Sequence, residues 1–160
     1  MGRVHRGAGA VIVCAGLAAP VTLSAQIQVE DPFARATPPG QGNSAAYAVI
    51  HNDGEEDRSI VAGESPAAET VELHTHSEED GVMRMREVES IELPAAGQVA
   101  LEPGGLHIML IDLVEALEPG ERIDITLILD DGSRLDLRPE IRHHRSIDVG
   151  QDSESRGLDE

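Results

Sequence analysis

Apolar and polar residues alternate along most of this chain at the period of a β-strand. Across Thr70 to His76, Val71 and Leu73 take one face while Glu72, His74 and His76 take the other, as in a half-buried strand. Val82 to Val88 reads as its return strand, with a turn over Glu78-Glu79-Asp80-Gly81. Arg122 to Leu129 sets Ile123, Ile125 and Leu127 against Asp124, Thr126 and Ile128, and Asp130-Asp131-Gly132-Ser133 signals a hairpin leading to Leu135, Leu137 and Ile141. Ala45 to His51 and Leu106 to Leu113 are more continuously apolar and read as buried strands. Shorter strands are expected at Ile27–Asp31, Phe33–Thr37, Arg58–Val61, Ile91–Leu93 and Val99–Leu101. No stretch holds a helical period for three turns. Short strands punctuated by Gly, Pro and Asp predict an all-β fold, an antiparallel sandwich or barrel.

The pattern divides the chain into three parts. Residues 1–25 read as a signal peptide: Arg3 and Arg6 precede an uncharged run from Ala8 to Ala19, Pro20 breaks it, and Ser24 and Ala25 offer a cleavage point. Residues 26–142 carry the strand pattern and suffice for one core. Residues 143–160 are polar and acidic and are expected to be a disordered tail. Phe33 and Tyr47 are the only aromatic residues, so Val, Ile and Leu must fill the interior.

Composition narrows the chemistry. The full chain carries a formal charge of −18. All thirty acids follow residue 29, and the ten arginines beyond the signal leave −20 there. Such a charge argues against nucleic acid and anionic lipid as partners. Cys14 is the only cysteine and leaves with the signal, since Val13 before it is too bulky for a lipoprotein cleavage site. Without a thiol, the remaining chain has no route to a disulfide, a zinc-thiolate, an iron–sulfur cluster or a blue-copper centre.

What remains is a concentration of imidazole and thioether. Met83, Met85 and Met109 are the only methionines after the first residue, and His74, His76 and His107 lie in the same stretch. Soft sulfur with imidazole nitrogen suits Cu(I). A hairpin centred on Glu79-Asp80 would set His76 opposite Met83 and His74 opposite Met85, on one face. His107 and Met109, two apart on a third strand, share a face as well.

The spacing of His74, ten residues, Met85, twenty-one residues, His107, one residue, Met109 resembles the signature of the PCu(A)C family of periplasmic copper chaperones. The words Arg35-Ala-Thr-Pro-Pro-Gly, Ala46-Tyr-Ala-Val-Ile-His-Asn, Val71-Glu-Leu-His-Thr-His, Gly81-Val-Met-Arg-Met-Arg and Glu102-Pro-Gly-Gly-Leu-His-Ile-Met-Leu fit too, over residues 27 to 142. The resemblance implies a cupredoxin-like sandwich. It implies His74, Met85, His107 and Met109 as Cu(I) ligands, and delivery to the CuA centre of cytochrome c oxidase or another periplasmic copper protein. Phe33 stands where a tryptophan is expected, which should touch packing rather than metal. The tail has His143 and His144 but no methionine, so a second, Cu(II) site has little to build on. Outside the matched spacing, Met83 divides evenly between core filler and donor. His76 reads first as a solvated strand histidine, with a spare or transient ligand or an outer donor as the alternatives. Glu72 reads first as an exposed strand glutamate, with orienting an imidazole as the alternative. His51 reads as a strand-end polar residue.

The function expected is thus a monomeric periplasmic metallochaperone, not an enzyme. No nucleophile elbow or phosphate loop is present, and two methionines are poor zinc ligands. Copper storage or resistance is the alternative, and a metal-free interaction module a weaker one that leaves the His/Met spacing unexplained. Storage predicts several ions per chain; a chaperone predicts one.

Overall fold

The computed structural model describes residues 27–143, so the expected signal and all of the tail beyond His143 lie outside the described residues. Eleven strands form two sheets and no helix occurs among the described residues. The larger sheet runs β11 (Glu140–Arg142), β1 (Ile27–Arg35), β2 (Ser44–Asn52), β8 (His107–Leu113), β4 (Ala68–Glu79), β5 (Val82–Glu87), with β7 (Gly97–Leu101) also paired to β2. The smaller sheet runs β10 (Arg134–Leu137), β9 (Ile125–Leu129), β3 (Arg58–Glu64), β6 (Ile91–Leu93). This is the all-β, cupredoxin-like sandwich expected. The sheets are not purely antiparallel, because β11 pairs parallel with β1.

The core fills the space between the sheets. Ile50, Leu73, Ile108 and Leu110 from the large sheet meet Ile60, Ile91, Leu93, Ile125 and Leu127 from the small one, all at most 3% exposed. Each such side chain contributes about 1.5–3 kcal/mol by leaving water. With two aromatic residues in the whole chain, branched aliphatics do this filling, as their abundance predicts.

Three differences from the sequence reading have a local reason. The two segments expected at 27–31 and 33–37 are one strand, β1, bent by an irregularity between Glu30 and Phe33 where Asp31 takes a positive φ of 45°. Strand β9 begins at Ile125 rather than Arg122, which instead forms an isolated bridge to Glu140. The third difference matters most. The β4–β5 hairpin turns on Asp80-Gly81, not Glu79-Asp80, with Glu79 paired to Val82. Both turn residues have positive φ, 53° and 76°, the two-residue geometry that Asp-Gly favours because its twist matches that of the strands.

Candidate metal centre

The corrected turn slides β5 by two positions against β4. His76 therefore opposes Met85, His74 opposes Glu87, and Met83 opposes Glu78. A shift of two keeps every side chain on its expected face, so the His/Met face survives while its pairings change. On the other edge of β4, His74 opposes His107 and Glu72 opposes Met109. Leu73 and Ile108, opposed to each other, point into the core, which places the imidazoles and sulfurs on the outer face of the large sheet rather than at the sandwich rim. Ala45 of β2 lies opposite Met109; its small side chain leaves room above the sulfur.

A cleft opens over this face. Its walls include His76, Met85, His107 and Met109, with Tyr47 and Ala45 from β2, Arg35 from the end of β1, and Thr37, Pro38, Gln41 and Asn43 from the β1–β2 connection. That connection is tied down by Thr37, whose amide donates to the Leu117 carbonyl and whose hydroxyl accepts from the Leu117 amide, at 3.1 and 3.0 Å. The rings follow one another across the sheet. Phe33 meets Tyr47 with centroids 5.0 Å apart, Tyr47 meets His107 at 6.3 Å, and His107 stacks on His76 at 5.0 Å and meets His74 at 5.8 Å. Phe33 thus acts in packing, as expected of a ring in the tryptophan's place.

His107 is the most deeply buried of the three imidazoles on this face. It is 1% exposed. Its Nδ1 donates to the Gly105 carbonyl at 3.0 Å. That oxygen only accepts, so Nδ1 carries the proton and Nε2 keeps its lone pair. Nε2 is buried with no partner, an arrangement that costs about 1–3 kcal/mol unless something binds it. Burial chiefly, with the neighbouring His76, His74 and Arg35 adding to it, lowers the His107 pKa below 6.5 despite the Gly105 bond. The ring is therefore neutral at pH 7 and needs no deprotonation before ligating a metal. The Pro103-Gly104-Gly105 turn makes this possible. Gly104 takes φ +87°, and the Gly105 carbonyl so presented also accepts the His76 amide at 3.3 Å.

His74 is held differently. Its Nε2 lies 2.7 Å from a Glu72 carboxylate oxygen, which accepts from it, so in the neutral ring Nδ1 keeps the lone pair. Nδ1 is buried without a partner. A carboxylate on the far nitrogen of an imidazole fixes the orientation of the ring. Glu72 is half-buried against the His74 ring, the arrangement the orienting alternative anticipated rather than the exposed default. His76 departs further from expectation: it is half-buried, its Nδ1 is buried and unpartnered, and its ring stacks on His107. The sequence signal that would have found it is Asp80-Gly81, the strongest two-residue hairpin word, which sets His76 opposite Met85.

Met85 is 46% exposed and Met109 half-buried; Met83, 56% exposed, sits on the same face nearer the hairpin tip. His51 binds Glu30 at 2.8 Å, away from the cleft, as a strand-end polar residue. His143 is exposed, and His144 lies outside the described residues. Among the described residues, no three His, Cys, Asp or Glu side chains form a metal-binding group by themselves. A metal held here must use the methionine sulfurs, which fits a soft cation and disfavours zinc.

Comparison with known proteins bears on the family and the fold. The sequence model of the LpqE-like family matches residues 27–141. A relative from Leifsonia xyli subsp. xyli (strain CTCB07), named "Putative lipoprotein Lxx21020", is 36% identical over 108 residues, 67% of this chain and 64% of its own length, so the match spans under two thirds of that relative. The Cu(I) form of DR1885 from Deinococcus radiodurans is similar at 30% identity and a TM-score of 0.55, over 74% of this chain and 80% of its own. The copper-bound PCuAC domain of PmoF2 shares the fold at a TM-score of 0.63 and 20% identity, over 74% of this chain and 93% of its own. The resemblance read from the His/Met spacing is borne out at the level of fold and family: this chain belongs to the LpqE-like family and has the fold of the PCuAC domains.

Proposed function

We propose that the protein is an exported copper metallochaperone that binds one Cu(I) through His74, Met85, His107 and Met109 and passes it to a partner. The observation that carries this reading is the lone-pair nitrogen of His107, fixed by Gly105, buried and unpartnered beside two thioethers. Lipoprotein names among its relatives accord with export, and the periplasm is the compartment proposed. Thioethers persist where thiols would oxidise, and neutral imidazoles with thioethers leave the ion its single positive charge. Met85, nearly half exposed on an edge strand, is the donor an acceptor reaches first. Release then proceeds by exchanging one ligand at a time. The proposed acceptor is the CuA centre of cytochrome c oxidase or another periplasmic copper protein, met by a monomer.

The test is a Cu(I) competition titration of the protein against Met85→Leu and Met109→Leu. One ion per chain is expected. Each variant should bind more weakly by more than the roughly 10–100-fold that outer-sphere partners cost, with folding intact. Unchanged affinity in both variants refutes the site, and several ions per chain would favour storage.

A further inference from the structure

Four donors suffice for the site proposed above, yet the face holds a third imidazole. His76 lies opposite Met85 in the hairpin ladder, stacks on His107 with an interplanar angle of 29°, and lines the cleft with Met85, His107 and Met109. His74 does not line that cleft; Glu72 holds its Nε2 to one side. Three ring nitrogens, His74 Nδ1, His76 Nδ1 and His107 Nε2, are all buried and unpartnered. A solvated strand histidine would have water at its nitrogens; His76 Nδ1 has neither water access nor a protein partner. Buried polar atoms are rarely left this way without a ligand.

We infer that His76 is a copper ligand that shares one coordination position with His74. His107, Met85 and Met109 form the constant part of the site. The fourth donor is His76 when Glu72 holds His74 aside, and His74 when its ring turns inward. Residues two apart on one strand face the same way, so both imidazoles are presented to the same side of the sheet. The exchange gives the ion a step between two bound states, so it need not leave the protein to change ligands. This inference rests on the metallochaperone reading and adds a residue to its site.

The test uses His74→Gln, His76→Gln and the double variant in Cu(I) competition titrations, with X-ray absorption of the Cu(I)-loaded His74→Gln protein. Each single variant should retain a site, because the other histidine fills the shared position. The double variant should bind at least about 10-fold more weakly than either single one. The loaded His74→Gln protein should still show two imidazole nitrogens and two sulfurs. A double variant no weaker than His74→Gln, or a single remaining nitrogen in that spectrum, overturns the proposal. If the double variant does not fold, the absorption spectrum alone decides. Parallel titration of Met85→Leu separates the two readings. Wild type that binds through Met85 but ignores His76 sinks only this inference, and wild type that binds no Cu(I) sinks both.

Discussion

Strand β8 offers two adjacent residues that are equally hidden from water and physically opposite. Ile108 is 0% exposed and His107 1%. Ile108 points between the sheets among Leu73, Leu110 and other aliphatics. His107 points to the outer face, one nitrogen satisfied and the other not. Burial alone does not separate a core from a site. What separates them is whether the buried group is finished: an isoleucine in an aliphatic layer lacks nothing, whereas a buried imidazole with an empty lone pair lacks a partner. The pleat allows this, since successive residues alternate faces and one backbone serves stability on one side and chemistry on the other.

The contrast is most sharply tested by truncating the inner side. Ile108→Ala should cost about 2–5 kcal/mol of stability, read by equilibrium urea unfolding, because it leaves a cavity between tightly packed sheets. The folded fraction should bind Cu(I) as wild type does. A matching loss of affinity would mean that the two faces are not independent.

A smaller effect is expected from the hairpin that presents Met85. Gly81 sits at φ +76° with open space where a Cβ would go, so Gly81→Ala meets no clash and pays only for its left-handed backbone, about 1–2 kcal/mol. Urea unfolding checks this. If the variant instead gains stability, the turn is not the two-residue geometry that sets His76 against Met85.

The smallest effect is in pH. His107 has its pKa lowered by burial from 6.5, so the unfolded chain takes up a proton before the folded one does. The copper-free protein should hold this contribution fully above pH 6.5 and lose it as pH falls through the lowered folded value. His107→Leu should flatten that part of the profile, as measured by thermal unfolding between pH 7.5 and 5, values on the order of one unit either side of the ordinary imidazole range. Asp31, lowered from 3.8 chiefly by its hydrogen bond to Arg142, acts the same way in a separate window below that value. A wild-type profile with no slope below pH 6.5 would show that the ring is not shielded as the fold places it.

The strand alternation, the absence of helix, the two-faced β4 and the clustering of His and Met were all legible in the chain. They depend on local period and residue type, and a β-strand's facing is a parity that sequence carries directly. His74, Met85, His107 and Met109 fall on one face for that reason, whichever neighbour each has. Spacing could not settle the pairings. The reading centred the hairpin one residue early, and so matched His76 with Met83 when the fold matches it with Met85.

Tertiary structure decided which ring nitrogens are buried without a partner. His74, His76 and His107 look alike in the chain. Their difference comes from Glu72 beside one, the Gly105 carbonyl beneath another, and the ring stack that ties His76 to His107. The first two contacts are local, each joining residues two apart, whereas His76 and His107 lie about thirty residues apart and meet only through the sheet. A ring stack across such a distance is set by which strands become neighbours, and that follows from packing the whole aliphatic interior at once, not from any local pattern.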